Sequence, residues 1–596
     1  MTTSFIHPAL ILIFGSVLLP FIKDPFRKPY LFLVPLLTFI DVLYLSQYPG
    51  TYGVIPFMGD WTLTFGRVDS LSLVFAFIMS LMAIIGTIYG LHVEDPWHHI
   101  AAWFYVAGSL GVILCGDYLV LFLFWEMMAF ASTFLVWFNK EEGALAAGYR
   151  YLLVHTFGGL ILLLGFVLRY QATGDLSFVQ MDEANVELYT WLIMIGLMLN
   201  AAVPPLHSWL PDAYSKATVA GAVFMCAFTT KTAIYTLARA YAGFDILIVL
   251  GVIMAIIGII YAIIENDIRR LLGWEIVSQV GYMVAGVGIG TALAINGTAA
   301  HAFAHILYKG LLFMAAGSII YSTGKSKFTE LGNLYKKMPL TLMFMVIGGM
   351  SVSAFPFLSG FVSKSMIISA GFEEHHYVGA FLLTMVSAGT FLVAGLRLPY
   401  LIFFGESRCS EETLEKAVDP PWNMTMAMGI ASFFCILVGC YLPFLYDMLP
   451  NQEATYHPYT SYHMGETLQI LALTALGFFY FKDRIGAKAT ISFDLDWFYR
   501  KGGKIFLWLA QKPIQGFDNI WGEIYKVVGL NSLMTTAKFW GWFDWHGIDG
   551  VVDGTARLVR NFGGRVSKTL QRGQIQHTLY FTISFAAILL FAFAWL

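Results

Sequence analysis

Three side chains that can hold or pass a proton recur at one-turn spacing in His301-Ala-Phe-Ala-His305-Ile-Leu-Tyr-Lys309. On an α-helix, positions i, i+4 and i+8 drift only about 80° around the axis, so two imidazoles and an ammonium form one stripe about 12 Å long. The surrounding residues, 295–321, are apolar enough and numerous enough to span a bilayer. Ionisable groups at that depth are costly, and they face a bundle interior or a water path. Because histidine titrates nearest neutrality, a proton relay is the chemistry this stripe favours. Haem ligation competes, but two histidines one turn apart cannot bind opposite faces of one iron, and His155 is the obvious deep partner they would need. Satisfied structural histidines are the third alternative.

Four further ionisable residues lie in apolar runs. Glu126 stands nine residues into its run, about 13 Å deep and near the middle of the hydrocarbon. Glu275 sits nearer the cytoplasmic end of its own run, which suits an interfacial carboxylate. Lys231, in Phe228-Thr-Thr-Lys231, is deep in residues 214–240, where an ammonium can gain or lose its proton as a neighbouring charge moves. Lys364 follows Ser353-Ala-Phe-Pro356-Phe-Leu-Ser-Gly360, whose proline and glycine predict a helix broken in mid-membrane. Backbone and water freed at such a break could solvate the ammonium.

The elements that must position these groups are membrane helices. Of the 596 residues, 58% are hydrophobic and 12% charged, with a mean hydropathy of +0.69. A soluble chain would carry roughly twice that charge. The fold class is therefore all-α and polytopic, with about sixteen transmembrane helices. N-terminal helices fill 1–97, and further spans fill 423–482. Residues 483–575 form an amphipathic interfacial segment, and 577–595 a final span. Pro513 and the many glycines, among them Gly516, Gly522, Gly541, Gly550, Gly563 and Gly564, argue that the interfacial segment is not one unbroken rod. The first run follows an N-terminus without positive charge and reads as a true span. A second break is expected at Pro204-Pro205.

Sliding the chain by about 150 residues superposes Asp117 on Asp267, His155 on His305, and Thr173-Gly174 on Thr323-Gly324, with Trp125-Glu126 one residue off Trp274-Glu275. Residues 98–240 and 244–405 are thus two repeats of five helices, and an odd number inverts the second copy in the membrane. Inverted repeats with broken helices are a transporter architecture. Lys23, Arg27, Lys28, Lys140, Arg150, Lys216, Arg269, Arg270, Lys325, Lys327, Lys336 and Lys337 fall on one side, leaving Arg67, Arg169 and Arg239 on the other. The first side is cytoplasmic, with both termini outside and the amphipathic segment on the cytoplasmic face. The five cysteines are scattered without C-x-x-C, so no iron–sulfur, zinc or other cofactor site is expected in this chain. Gly286-Val-Gly-Ile-Gly290 joins two spans and is explained by helix packing, not nucleotide binding. Nothing points to nucleic acid.

Seven motifs carry a resemblance. Asp117 to Phe134 with Trp125-Glu126, Pro205-Leu-His-Ser-Trp-Leu-Pro-Asp212, Lys231-Thr-Ala-Ile-Tyr, Asp267-Ile-Arg-Arg-Leu-Leu, Ser278-Gln-Val-Gly-Tyr282, His305-Ile-Leu-Tyr-Lys309 and Ser359-Gly-Phe-Val-Ser-Lys364 make the first set. Over roughly residues 60–405 the chain resembles the antiporter-like membrane subunits. These are shared by NADH:quinone oxidoreductase (respiratory complex I), multisubunit cation/proton antiporters and membrane-bound hydrogenases. Val551-Val-Asp-Gly554 and Gln571-Arg-Gly-Gln-Ile-Gln576 are similar to the tail of the largest such subunit of the oxidoreductase, a lateral helix and one extra span.

The resemblance implies a subunit that works beside other membrane subunits, moving H+ (Na+ being the alternative ion) along a mid-membrane axis. Carried over by motif, Glu126 and Lys231 would serve the first half, His301, His305 and Lys309 would be the relay, and Lys364 its terminal lysine. Any oxidoreductase activity would belong to the complex. Asn200 departs from the pattern, since the family usually has a lysine there, and Glu275 stands where serine is commoner. The expectation is that the half containing Glu275, His301, His305, Lys309 and Lys364 carries protons while the first half is altered. A quinone- or haem-binding membrane enzyme is the reading from a different class.

Overall fold

The structure is a computed structural model that describes residues 5–57, 61–489, 494, 496–570 and 573–595. It divides into two units, Met1–Leu495 and Asp496–Leu596. In the first unit, α1 (Pro8–Leu18) and α2 (Arg27–Leu45) precede an antiparallel hairpin of β1 (Gly50–Pro56) and β2 (Thr62–Val68). The hairpin is not anticipated from the apolar runs. Ser70–Tyr89 forms α3, Pro96–Leu114 α4, Tyr118–Trp137 α5 and Ala144–Thr173 α6. Next come α7 (Leu188–Asn200), α8 (Trp209–Lys216), α9 (Val219–Ala227) and α10 (Thr229–Ala240). Asp245–Ile264 is α11, Ile268–Ile289 α12, Ala292–Thr323 α13, Pro339–Val352 α14, Ser359–Glu373 α15 and Tyr377–Thr390 α16. Helices Trp422–Cys440 and Ser461–Phe481 complete this unit's long elements. Among the described residues thirteen helical segments are long and apolar enough to cross a membrane, with three shorter apolar ones, Pro8–Phe21, Leu188–Asn200 and Pro339–Val352.

Local chemistry explains where these helices begin and end. Asp117 accepts from the Leu119 and Val120 amides and so caps α5; Asp267 accepts from the Arg269 and Arg270 amides and caps α12. Gly174 and Gly324 end α6 and α13 in the left-handed conformation that suits glycine. Beyond each glycine the chain returns to the cap by the same bonds. The Tyr118 amide donates to Leu176 O (2.9 Å) and Phe178 N to Gly116 O (2.9 Å). Ile268 N donates to Ser326 O (2.8 Å) and Phe328 N to Asn266 O (2.9 Å). Asp69 caps α3 and pairs with Arg239 at 2.6 Å. Burial pushes its carboxyl up, but the Arg239 bond and charge outweigh that and hold it below the usual carboxylate range.

The breaks also match. Between α7 and α8, Val203 N reaches back five residues to Met198 O (3.0 Å), and Ala202 has φ +59°. Between α14 and α15, Phe355 N reaches Met350 O (3.0 Å), and Ala354 has φ +57°. Both broken helices expected from proline are therefore present, in equivalent places of the two repeats. Helices α11 and α12 pack backbone to backbone: a Cβ on Gly281 would stand 2.6 Å from both Ala255 N and Gly251 O. Glycine there lets two backbones touch.

In the second unit the expectation of an interrupted amphipathic segment is corrected. The chain is helical without interruption from Asp496 to Leu570, and Pro513 sits inside a π-helical stretch, Ala510–Ile514. Two more such stretches, Tyr525–Asn531 and Asp544–Ile548, follow. Widened turns accommodate the amide that proline lacks, and each glycine weakens the helix by only about 1 kcal/mol without ending it. A separate helix, Ile575–Trp595, follows. Residues 490–493, 495, 571 and 572, which include the start of the Gln571 motif, lie outside the described residues.

Candidate functional site

The centre of the site is an ion pair. Lys309 Nζ on α13 lies 2.5 Å from Glu275 Oε2 on α12, and both side chains are 0% exposed. Glu275 is thus not the interfacial carboxylate its position in the apolar run suggested, because α12 is enclosed on all sides by other helices. A dry environment strengthens the attraction, while desolvation opposes it. The second carboxylate oxygen, Oε1, has no hydrogen-bond partner among the described residues. An open acceptor is what an incoming proton needs.

One turn from Lys309, the buried His305 ring has no hydrogen-bond partner at either nitrogen among the described residues. It stands 5.2 Å from the Tyr308 ring and 6.2 Å from the His301 ring, centroid to centroid. His301 Nδ1 lies 3.1 Å from Ser363 Oγ on α15, the residue beside Lys364. The stripe therefore continues across helices, from Glu275–Lys309 through His305 and His301 to α15. Lys364 Nζ donates to Val352 O at 3.0 Å, a carbonyl released where α14 breaks, and lies 4.9 Å from the Tyr282 ring centroid. Broken backbone and an aromatic face do solvate this ammonium.

Lys231 uses the same device at a break the residue pattern did not reveal. Tyr105 on α4 inserts its hydroxyl between α9 and α10, accepting from Thr229 N at 2.9 Å. Lys231 Nζ then donates to Cys226 O (2.8 Å) and Thr230 Oγ1 (3.0 Å). No proline or glycine marks this break, since a tyrosine from another helix makes it.

In the first repeat, half-buried Glu126 on α5 has Oε1 placed where a Cβ of Gly159 on α6 would stand, and that oxygen has no hydrogen-bond partner among the described residues. Gly159 occupies the place in α6 that Lys309 occupies in α13, 150 residues later. The two halves thus differ at their centres, with a carboxylate neutralised by lysine in one and a carboxyl against bare glycine in the other. Asn200 is buried and its Oδ1 lies 2.8 Å from His155 Nδ1.

A cavity of about 480 Å³ adjoins Lys364 and is lined also by Ser365, Glu373, Tyr456, His463 and Glu466. The His463 ring stacks on Phe361 at 4.5 Å. These polar residues were not singled out from the sequence; the signal was a carboxylate in the first turns of an otherwise apolar helix, Ser461–Phe481. No cluster of three or more histidine, cysteine, aspartate or glutamate side chains able to hold a metal occurs among the described residues.

Residues 115–391 match the family described as NADH:quinone oxidoreductase/Mrp antiporter, TM. The chain is 30% identical over 402 residues to one component of the Na(+)/H(+) antiporter of Alkalihalophilus pseudofirmus, covering 60% of this chain and 50% of that one. It is 35% identical over 291 residues to NADH-quinone oxidoreductase subunit N of Desulforudis audaxviator, covering 46% and 58%. The matches span little more than half the length of either relative. In fold it is similar to a chain of the Mrp complex from Dietzia sp., with TM-score 0.67, 22% identity, and coverage of 78% of this chain and 98% of that one. The chain is an integral membrane protein, similar over residues 115–391 to the membrane part of the NADH:quinone oxidoreductase/Mrp antiporter family.

Proposed function

We propose that this chain translocates protons as one subunit of a respiratory, NADH:quinone oxidoreductase-like membrane complex. Glu126, Lys231, Glu275, His301, His305, Lys309 and Lys364 are its proton-transfer residues. The observation that carries the proposal is the wholly buried Glu275–Lys309 pair, with an open carboxylate oxygen and an unpartnered imidazole one turn away. Displacing Lys309 from Glu275 changes the affinity of both for protons, which is how a pair can load and release one. Other membrane subunits are its partners, and electron transfer falls to them, because the scattered cysteines offer no cluster-ligating pattern. Similarity to a component of an Na(+)/H(+) antiporter favours a second reading, membership of a cation/proton antiporter, with a membrane-bound hydrogenase as the third. The complex resides in a bacterial or archaeal plasma membrane, termini outside and the long amphipathic helix on the cytoplasmic side.

The test is the purified complex in liposomes with an internal pH dye, driven by NADH and quinone or by an Na+ gradient. Redox-driven proton movement supports the first reading and gradient-driven movement the second. Proton movement under neither sinks both. In the same assay Glu126→Gln is expected to lower translocation about tenfold and Lys309→Ala about a hundredfold, within the range for lost acid–base groups. Equal and complete loss in both variants contradicts the proposed asymmetry of the halves.

The cavity beside Lys364 is proposed as the outward vestibule, since Glu373 and the start of Ser461–Phe481 adjoin loops that the charge bias places outside. Glu466→Gln is expected to slow proton release about threefold by removing a carboxylate that concentrates protons there. An unchanged release rate in stopped-flow measurements removes Glu466 from the path.

A further inference from the structure

We infer that His155 is the proton-accepting partner of Glu126, filling in the first repeat the part that Lys309 fills for Glu275 in the second. The inference rests on the proposed proton translocation and adds a residue to it. Gly159 leaves Glu126 without a cation from the Lys309-equivalent position, yet the carboxyl is held against α6. His155 lies one turn earlier on that helix, a rise of about 6 Å. Its surroundings place it between two neighbours. Gly148 and Gly159 abut α5 through Trp137 and Glu126, and Gly158 abuts α7 through Leu199. Around the helix, position 155 falls between those two contact faces, at about 40° from 159 and about 60° from 158.

The ring is also set up for one task. A carbonyl oxygen can only accept, so the contact with Asn200 Oδ1 at 2.8 Å puts the hydrogen on Nδ1. Nε2 is then the bare nitrogen, buried and without a hydrogen-bond partner among the described residues. Tyr151 at 4.2 Å and Trp209 at 4.5 Å, centroid to centroid, hold the ring in place. Buried polar nitrogens are ordinarily hydrogen-bonded, and this one keeps an acceptor unspent in a dry site. The groups in contact with it are Tyr151 from α6, Asn200 from α7 and Trp209 from α8, and Glu126 from α5 lies against the next turn of α6, at Gly159. In the transfer, the Glu126 carboxyl O–H bond breaks and an N–H bond forms at Nε2. The products are a carboxylate and an imidazolium, with Nδ1–H still bonded to Asn200 and no net change in charge. The pair so formed corresponds to Glu275–Lys309.

The experiment uses the intact complex in liposomes. His155→Gln, which keeps a hydrogen-bonding side chain but cannot carry the charge, is expected to lower proton translocation about tenfold. His155→Lys, which restores a titratable cation, is expected to stay within about threefold of wild type. The Glu126→Gln/His155→Gln double variant is expected to lose no more than either single, because one transfer cannot be removed twice. Wild-type transport in His155→Gln, or a double variant showing the product of both losses, overturns the assignment. Should His155→Gln fail to assemble, infrared difference spectra of isotopically histidine-labelled complex decide. An imidazolium band present in wild type and absent in Glu126→Gln supports the pair, and a band unaltered by Glu126→Gln overturns it. That second measurement needs no transport, so it separates failure of the pair from failure of the proposed function.

Discussion

Replacing Lys309 by alanine is expected to lower proton translocation about a hundredfold while leaving a folded but less stable protein. The ammonium lies 2.5 Å from a carboxylate that is wholly enclosed, and Glu275 Oε1 has no second partner among the described residues to compensate its loss. Removing one member of a buried pair costs about 3–5 kcal/mol, since the survivor is left as an uncompensated charge. Glu275 can escape that cost by staying protonated, and a carboxyl that never releases its proton cannot relay one. Loss of stability and loss of transport therefore have separable causes. In Glu275→Gln/Lys309→Met no charge is left unpaired, so thermal stability should recover toward wild type while transport stays about a hundredfold down. Detergent-solubilised melting curves beside the liposome assay check both halves of this expectation. A Lys309→Ala complex that pumps normally would remove the pair from the mechanism.

Gly281→Leu is expected to be severely damaging although the residue has no chemistry of its own. A Cβ at that position would stand 2.6 Å from backbone atoms of α11, namely Ala255 N and Gly251 O, and backbone cannot turn aside as a side chain can. Overpacking of this kind costs about 1–3 kcal/mol where neighbours yield, and more where they do not. Glu275 lies on the same helix less than two turns away, so pushing α12 outward also carries its carboxylate off Lys309. Both assembly and transport should fail. Ser278→Ala, which removes only a hydrogen bond of 2.9 Å to Ala255 O in the same contact, should cost about 1 kcal/mol and leave transport intact. Comparing the yields of assembled complex for the two variants is sufficient; equal yields would show that α11 and α12 need not be in contact.

Much of this architecture could be read from residue types because membrane helices announce themselves by length and by the cost of charge. Prolines marked both interrupted helices, and the 150-residue offset marked the repeats through caps and glycine stops, which the bonds to Leu176 and Ser326 bear out. Partnership across helices was harder. Glu275 and Lys309 were each singled out, but nothing in a one-dimensional pattern shows that they touch, and position within an apolar run misjudged how deeply Glu275 is enclosed. The division of α9 from α10 was invisible for the same reason, since its cause, Tyr105, lies on another element. Pro513 misled in the opposite direction: a single widened turn absorbs what looked like a terminator. The meaning of Gly159 emerged only when its neighbour was known, because a glycine in a long apolar helix looks like ordinary packing until a carboxyl occupies the space beside it.

The short strap that follows α13 bears on how the central pair can open. Ser326 and Phe328 bond to Ile268 and Asn266, and Ser326 Oγ donates to the capping Asp267 at 2.5 Å, so the end of α13 is tied to the beginning of α12. With those ends stapled, neither helix can slip along the other to carry Lys309 past Glu275. What remains free is side-chain rotation, of the Glu275 carboxylate and above all of the lysine's four-carbon stem. On the proposed mechanism the scaffold then acts as a stator, and the working stroke is set by the length of one lysine side chain.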